Sequence, residues 1–415
     1  MVQPEIGRDD LALQLQNMRV FLAVSEAGSI AQAAQALFKA PSAVSRSVVE
    51  LERSLGVKVF ERNARGIIQN DYGALLARRA GRIEAELGEA AADLARIRSR
   101  SSALSPRSIL QLLFNGRKLQ LVSVLAETRK ISTAAARLGI SQSGASMALS
   151  RLESALGATL FERGMQGVVA TEAAARLAIR ARRVFAELRH LAADISALAG
   201  SPSGTVVIGM LPLGRTYVFP MAIAEAISGH PGIHVRTIDS PFAELMAGLR
   251  CGDIDMIAGV PRAEEDRTGI VIEPLFSDAL TVVARQGHPL AGRRLELDEM
   301  MASAWVLPWQ NSPSRTMFDN AFRQAGLPPP QPCVESADLA VIRQLLTASN
   351  ALALVSARQM QFELESGLID ELDCGLPEMS RDVGLITREG AMLPPVAQIL
   401  TEAIRRQAIL ASAGD

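Results

Sequence analysis

One register shift governs what the first half of this chain can fold into. Displaced by 101 residues, Phe60-Glu61-Arg62 recurs as Phe161-Glu162-Arg163, Leu51-Glu52 as Leu152-Glu153 and Leu55-Gly56 as Leu156-Gly157. Ala33-Ala34 and Leu37 return as Ala134-Ala135 and Leu138, Ser42 and Ser45 as Ser143 and Ser146, and Gly66 as Gly167. No gap interrupts the register, so a domain is duplicated here, not a composition. In the first copy Val20, Phe21 and Val24 share a helical face, which Gly28-Ser29 breaks. Ser29 and Gln32 have capping-box spacing for a second helix over about 30–38, burying Ala33, Ala34 and Leu37. After a turn at Ala40-Pro41, Val44, Val48, Leu51 and Leu55 form the buried stripe of a third helix over about 42–55, which Gly56 ends. Val57–Phe60 and Ile67–Gln69 then alternate as strands around the loop Arg62-Asn63-Ala64-Arg65-Gly66.

Three helices followed by a hairpin make a helix-turn-helix with a wing. The second helix braces the third, which can enter a DNA major groove roughly 12 Å wide. Short polar residues at the front of the third helix let the backbone approach base edges, and wing arginines can reach phosphate or the minor groove. Each copy is locally basic: residues 17–79 hold nine Lys or Arg against five Asp or Glu, and residues 118–180 hold eight against four. A three-helix packing module with a solvated basic face would share the helical pattern. The repeated wing arginine and serine pair favour DNA.

These motifs, Ala33-Ala34, Leu37, Ser42-Ala43-Val44-Ser45-Arg46, Leu51-Glu52, Leu55-Gly56 and Phe60-Glu61-Arg62, resemble those of the LysR-type transcriptional regulators, and the similarity runs along nearly the whole chain. The duplication departs from the usual single head. The resemblance implies double-stranded promoter DNA as a partner, with contacts from Pro41, Ser42, Ser45, Arg46, Arg62 and Arg65 in copy one. In copy two it implies Ser141, Gln142, Ser143, Ser146, Arg151 and Arg163. The family's third helix usually opens Ser/Thr-Gln-Ser/Pro and later carries Ser-Arg. Copy one reads Ala40-Pro41-Ser42, without cap or glutamine, but keeps Ser45-Arg46; copy two keeps Ser141-Gln142-Ser143 but then has Ser146-Met147. Glutamine pairs bidentately with adenine and arginine with guanine, so each copy holds one of the two strong base readers. The wings differ as well, with Arg62 and Arg65 against Arg163, Met165 and Gln166, and copy two has Arg151 where copy one has Glu50. Both heads are expected to bind DNA with different base preferences; the rival is that one serves as a scaffold.

Each copy runs into a heptad pattern: Leu76, Ala80, Ile83, Leu87, Ala90, Leu94 and Ile97, then Leu177, Ala181, Val184, Leu188, Leu191, Ile195 and Leu198. Such seams need a partner helix. In the family this helix pairs between subunits, so the two seams here either pair with each other within one chain or each with its equivalent in another. The Ser- and Arg-rich connector Ser99–Ser108 and the segment Gly200-Ser201-Pro202-Ser203-Gly204 read as flexible joints.

From Thr205 the pattern alternates β and α, which predicts a parallel sheet with helices on both faces. Strands are expected at Val206–Gly209, His234–Ile238, Asp255–Ala258, Val271–Ile272, Leu280–Ala284, Ala304–Leu307, Ala351–Val355 and Asp382–Thr387. Helices are expected over about 216–228, 242–250, 314–325, 338–348 and 394–410. Two α/β lobes with two crossings enclose a cleft, as in periplasmic solute-binding proteins, and ligands in such sheets sit beyond strand C-termini near helix N-termini. This half resembles LysR-type effector domains throughout, through Gly209, Pro220, His230-Pro231, Gly252-Asp253-Ile254-Asp255 and Pro274-Leu275. Trp305-Val306-Leu307-Pro308, Gly326-Leu327-Pro328 and Gly384-Leu385-Ile386-Thr387 resemble a branch that regulates sugar or aromatic-acid use. The expected effector contacts are Leu211, Pro212, Leu213, Gly214 and Arg215 after the first strand, Ser240 and Phe242 after the second, and Gly259 after the third. Asn311, Ser312 and Ser314 open one helix of the second lobe and Ser336 precedes the next. Exposed N–H groups and hydroxyls there suit a carboxylate or a sugar hydroxyl, although Ser312 and Ser314 could simply be N-caps and Arg215 a surface residue.

Composition narrows the alternatives. With 43 Lys and Arg against 44 Asp and Glu, whole-chain charge says nothing about nucleic acid, so any basic face is local. Cys251, Cys333 and Cys374 lack metal spacing and read as buried, reduced thiols. No apolar run approaches the roughly 20 residues that cross a bilayer, and Met1–Asp10 does not resemble a secretory signal, which predicts a cytoplasmic protein. His190, His230, His234 and His288 have no Cys, Ser or carboxylate at catalytic spacing, Glu264-Glu265-Asp266 reads as a solvated loop, and no phosphate-binding GxxxxGK[ST] or GxGxxG sequence occurs. No enzyme, metal or cofactor is expected. The expected architecture is multidomain: α-helical winged helix-turn-helix domains at 15–72 and 112–172, linker helices at 73–100 and 173–200, and an α/β two-lobed, periplasmic-binding-protein-like effector domain at 204–412. Lobe I covers about 204–266 and 380–412, and lobe II about 275–376. The predicted function is an effector-controlled transcription regulator, a homodimer or homotetramer with an aromatic acid or sugar as effector and RNA polymerase as a further candidate partner. The runner-up is a solute-sensing or scaffold protein with degenerate heads.

Overall fold

The computed structural model describes residues 8–63, 66–97, 104–164, 167–261 and 267–413. Arg65, Met165, Gln166, the connector residues 99–103 and the acidic loop Glu264–Asp266 lie outside them. The chain begins with α1 (Arg8–Leu13), α2 (Leu15–Ala27), α3 (Ile30–Ala36) and α4 (Pro41–Leu55). The hairpin β1 (Phe60–Asn63) and β2 (Gly66–Gln69) and the long α5 (Asp71–Ile97) follow. The same order then recurs as α6 (Pro106–Leu113), α7 (Gly116–Thr128), α8 (Ile131–Arg137), α9 (Gln142–Leu156), β3 (Phe161–Gly164), β4 (Gly167–Ala170) and α10 (Glu172–Leu198).

Three local expectations need correction. The first wing strand begins at Phe60, opposite Gln69, and not at Val57. Val59 is fully buried and its N–H goes to Glu52 Oε1 at 3.1 Å, so this stretch plugs the core instead of joining a ladder. Ser29 precedes α3 in extended conformation, but its side chain accepts no helical N–H, so the capping box does not form. The Ser-rich connector is not wholly a loose joint, because Ser105 Oγ accepts the Ser108 N–H at 3.2 Å and starts α6.

The linker helices pair with each other, antiparallel, inside one chain. Arg79 of α5 meets Glu187 and Asp194 of α10, Arg82 meets Glu187, Glu86 meets Arg180 and Arg183, and Asp93 meets Arg176. Residue numbers rise along one helix as they fall along the other. Every seam position from Leu76 to Leu94 and from Leu177 to Ile195 is buried; only the last of each series, Ile97 and Leu198, is exposed. The short helices exchange partners, α1 lying on α10 and α6 on α5. At the start of α7 a Cβ on Gly116 would lie 2.2 Å from the Ala12 carbonyl oxygen, so the two copies touch backbone to backbone. One continuous apolar core runs from Leu11 through both copies to Ile195.

The C-terminal half contains β5 (Gly204–Met210), α11 (Val218–Gly229), β6 (Ile233–Ile238), α12 (Phe242–Cys251), β7 (Met256–Gly259), β8 (Ile270–Arg285) and β9 (Trp305–Leu307). It continues with α13 (Pro313–Gln324), β10 (Val334–Glu335), α14 (Leu339–Ala348), β11 (Leu352–Ser356), α15 (Gln361–Glu365), β12 (Ile369–Glu371), β13 (Ser380–Arg388) and α16 (Pro395–Ala413). The strand order is β10-β9-β11-β8-β13-β7-β5-β6, with β12 also on β8. The sheet is mixed and not parallel as expected: β5 is parallel to β6 and β7, but β13 runs antiparallel to both β7 and β8. The two strands expected at Val271–Ile272 and Leu280–Ala284 are one 16-residue strand. Its first part pairs with β13 and its last with β11 and β12, so β8 ties two α/β units together. The turn after α10 is pinned: Ser196 Oγ donates to the Ser203 carbonyl at 2.8 Å and accepts its N–H at 3.0 Å, and Gly204 already belongs to β5. Of the three cysteines only Cys251 is buried; Cys374 is half-buried and Cys333 is exposed, which corrects the expectation of three buried thiols.

Candidate DNA interface and ligand cleft

In each helical unit the core stripe leaves one face of the third helix free. Val44, Val48, Leu51 and Leu55 of α4 are buried, which puts Pro41, Ser42 and Arg46 in solvent and leaves Ser45 half-buried. In α9, Ala145, Leu149, Leu152 and Leu156 are buried, and Ser141, Gln142, Ser143, Ser146 and Arg151 are exposed. The two helices start differently. Ser141 Oγ accepts the Gly144 N–H at 3.0 Å and lies 3.2 Å from Ser143 Oγ. Ala40 offers no such acceptor, and Pro41 occupies the first turn, where an N–H would go unpaired anyway. Arg62 lies in β1, and Arg163 is exposed on β3.

Two devices not singled out from sequence hold each wing. The glutamate of the repeated Leu-Glu pair reaches from the third helix to the backbone at the entry to the wing. Glu52 Oε1 takes the Val59 N–H, and Glu153 Oε1 takes those of Leu160 and Phe161 at 2.7 and 3.1 Å. The wing glycine closes against the corner before the second helix, with Ile67 N–H on the Gly28 carbonyl at 3.3 Å and Val168 N–H on that of Arg129 at 2.9 Å. A Cβ on Gly167 would sit 2.2 Å from the Arg129 carbonyl oxygen, at φ 132°. The repetition of Leu-Glu and of Gly66 and Gly167 was the visible signal for both.

A cleft of about 680 Å³ opens between the two α/β units. Leu211, Pro212, Leu213 and Arg215 line it from the turn after β5, Ser240 and Phe242 from the loop and helix after β6, and Asn311, Ser312, Ser314 and Ser336 from the opposite unit. Gly214 and Gly259 stand behind the wall. A Cβ on Gly214 would meet the Ala258 carbonyl oxygen at 2.5 Å, and one on Gly259 would meet Leu211 Cβ at 2.6 Å, so both are packing glycines. Ser312 is the N-cap of α13, accepting the Arg315 N–H at 3.3 Å, whereas Ser314 instead accepts from Arg381. Arg215 is ion-paired with Asp239, which also lines the cleft.

The polar and aromatic lining residues absent from the expected set are Asp239, Trp309, Asp338, Gln359 and Arg381. Arg381, on β13, donates to Asp278 Oδ2 from Nη2 at 3.1 Å, and Ser356 Oγ donates to Asp278 Oδ1 at 2.6 Å. Burial pushes the Arg381 guanidinium below its ordinary range, and Asp278 opposes that. Gln359 Nε2 donates to the Pro212 carbonyl at 3.1 Å, joining the two walls. Trp309 stands one residue past Trp305-Val306-Leu307-Pro308, so the strand-end rule pointed to it. Nothing local marks Arg381, at the start of a strand and 103 residues from Asp278.

The histidines also change. His190 Nε2 lies 2.8 Å from Asp255 Oδ1, a pairing invisible at a separation of 65 residues. Arg189 donates to the same oxygen at 2.6 Å and the Val207 N–H to Asp255 Oδ2 at 2.8 Å. This buried node joins α10 to β5 and is structural. Among the described residues no group of His, Cys, Asp and Glu could hold a metal, and no helix is long and apolar enough to cross a membrane.

A helical half exposing polar and basic residues on two third helices, joined to an α/β half with a cleft, is the build of a DNA-binding transcription regulator with an effector-binding domain. Residues 199–409 match the LysR substrate binding domain, and residues 15–74 and 117–191 each match the bacterial regulatory helix-turn-helix protein, lysR family. The chain belongs to the LysR family of transcriptional regulators. It is 41% identical over 392 residues to the HTH-type transcriptional regulator GalR of Pseudomonas putida, spanning 94% of this chain and 96% of that one. It is 31% identical over 246 residues to the HTH-type transcriptional regulator GbpR of Azospirillum brasilense, spanning 59% of this chain and 72% of the relative. A full-length OxyR variant from Pseudomonas aeruginosa shares the fold, with a TM-score of 0.51 at 21% identity over 69% of this chain and 93% of that one.

Proposed function

We propose that this regulator senses a small carboxylate, an aromatic acid in first place and a sugar-derived ligand in second, held between two lobes of a periplasmic-binding-protein-like domain. The observation that carries this is Arg381, a largely buried cation beside Ser314 in a cleft that apolar Leu211, Leu213 and Phe242 and exposed Trp309 also line. A guanidinium and a helix N-terminus favour a carboxylate, and the apolar and aromatic lining favours a ring. Leu211, Pro212, Leu213, Arg215, Ser240, Phe242, Asn311, Ser312, Ser314 and Ser336 contribute the rest of the contact set.

Both heads, at 15–72 and 112–172, are duplicated winged helix-turn-helix readers of double-stranded promoter DNA. Head one reads with Pro41, Ser42, Ser45, Arg46 and its wing arginines, and head two with Ser141, Gln142, Ser143, Ser146, Arg151 and Arg163. Ligand closure of the cleft shifts how the heads sit on DNA, which needs a coupling of only about 1–3 kcal/mol. The protein acts by binding and not by turnover, in the cytoplasm, as a homodimer or homotetramer with RNA polymerase as a further partner. A thermal-shift screen of aromatic acids and sugars, repeated with promoter DNA, tests the ligand. A stabilising aromatic acid whose effect Arg381→Gln removes is expected, and stabilisation by sugars alone would reverse the order. Footprinting with Arg46→Ala and Gln142→Ala separately tests the heads: if only one substitution shortens the footprint, the other head is a scaffold.

A further inference from the structure

The two heads form a fixed pair within one chain. Their linker helices fill each other's apolar seams, their short leading helices exchange partners, and a single core runs through both. Arg79 of α5, only 1% exposed, is buried between Glu187 and Asp194 of α10 and locks the two helices together. Antiparallel pairing with exchanged short helices relates the heads by an approximate two-fold axis. Two-fold pairs of identical heads match palindromic DNA. These heads share the serine pair but differ at the positions that would discriminate bases: Pro41 against Gln142, Arg46 against Met147, Glu50 against Arg151.

The turn before the third helix differs most. Phe38 is 97% exposed and holds a left-handed backbone, φ 52°, which costs energy for a bulky side chain. The equivalent residue in copy two is Gly139, with φ 64°, for which the same conformation is free of strain. An exposed aromatic beside the tip of α4 can reach the methyl group of thymine, a contact Gly139 cannot make.

We infer that one chain is a complete two-headed reader, and that its partner is a DNA duplex carrying two dissimilar half-sites in fixed order, resting on the DNA-binding function proposed above. Head one takes a half-site through Arg46 and Phe38, and head two takes the other through Gln142 and Arg151.

Selection of duplexes from a random pool by the full-length protein, with native mass spectrometry of the complex, tests this. The expected motif is non-palindromic, with one chain per pair of half-sites. Phe38→Gly and Arg46→Ala, both at exposed positions, flatten base preference in one half, and Gln142→Ala flattens it in the other. Rebuilding the duplex as a palindrome of either half weakens binding about tenfold or more. A palindromic motif, a single half-site, or two chains sharing one pair of half-sites would overturn the inference while leaving DNA binding intact. Absence of any salt-dependent enrichment would overturn the DNA-binding function and the inference with it.

Discussion

Replacing Arg79 by methionine removes a cation buried between the two linker helices. Arg79 donates from Nε and Nη2 to Asp194 at 2.6 and 3.2 Å, and from Nη1 to Glu187 and to the Met392 carbonyl, both at 2.7 Å. Burial opposes the charge, but Asp194 and Glu187 outweigh it and raise the guanidinium above its ordinary range. In the Arg79→Met variant Glu187 keeps Arg82 at 2.7 Å, whereas Asp194 has no second partner among the described residues. Breaking a buried ion pair by removing one member costs about 3–5 kcal/mol, because the other charge is left uncompensated. The surviving Arg82 contact puts this case near the lower end, about 3 kcal/mol, or roughly a hundredfold in an opening equilibrium. Hydrogen–deuterium exchange of α5 and α10 peptides in the full chain should accelerate by about that factor. The double variant Arg79→Met/Asp194→Leu should return to within about 1 kcal/mol of the parent, since an apolar replacement of a buried pair is often neutral. Unchanged exchange in the single variant, or a double variant worse than the single, would refute the uncompensated carboxylate as the source of the loss.

Other perturbations separate the halves of the molecule. Gly167→Ala drives a Cβ into the Arg129 carbonyl and should destabilise head two by about 1–3 kcal/mol, lowering DNA affinity in gel shifts while ligand-induced thermal shifts persist. Arg381→Gln should weaken a carboxylate ligand about tenfold or more by calorimetry without changing DNA binding in its absence. Burial works to raise the Asp255 carboxyl, but the hydrogen bond from His190, then Arg189 and the Val207 N–H, hold it below the usual carboxylate range. Its stabilisation is therefore present above the unfolded value of about 3.9 and is lost as pH falls through the lower folded value. Exchange of α10 and β5 peptides should rise in that acid window in the parent, and Asp255→Asn should show no such step.

Local pattern determined much of this protein. The 101-residue shift is legible by direct comparison of two segments, and the buried stripes of the third helices and the two heptads rest on residues a few positions apart, where 3.6-residue periodicity acts directly. They made the helical units, the exposed reading faces and the need for a partner helix legible. Strand-end positions likewise pointed to the part of the cleft lining around Leu211–Arg215, Ser240, Phe242 and Asn311–Ser314. Where local rules failed, a longer-range demand had intervened. Ser29 takes no helical N–H in the packed head, and Val57–Val59 gave up a ladder to plug the core.

The partner of each heptad was beyond the sequence, because an apolar seam is satisfied equally by a helix of its own chain or of another. Tertiary packing decided it through contacts more than 100 residues apart, above all Arg79 with Glu187 and Asp194. The same holds for Arg381 with Asp278 and His190 with Asp255, pairs of charged or polar groups with no spacing to reveal them. Periodicity therefore specified that the repeat has an apolar face to bury. Only the three-dimensional closure of the chain, where burying a charge demands a matching charge from a distant segment, specified that the repeat buries it against itself.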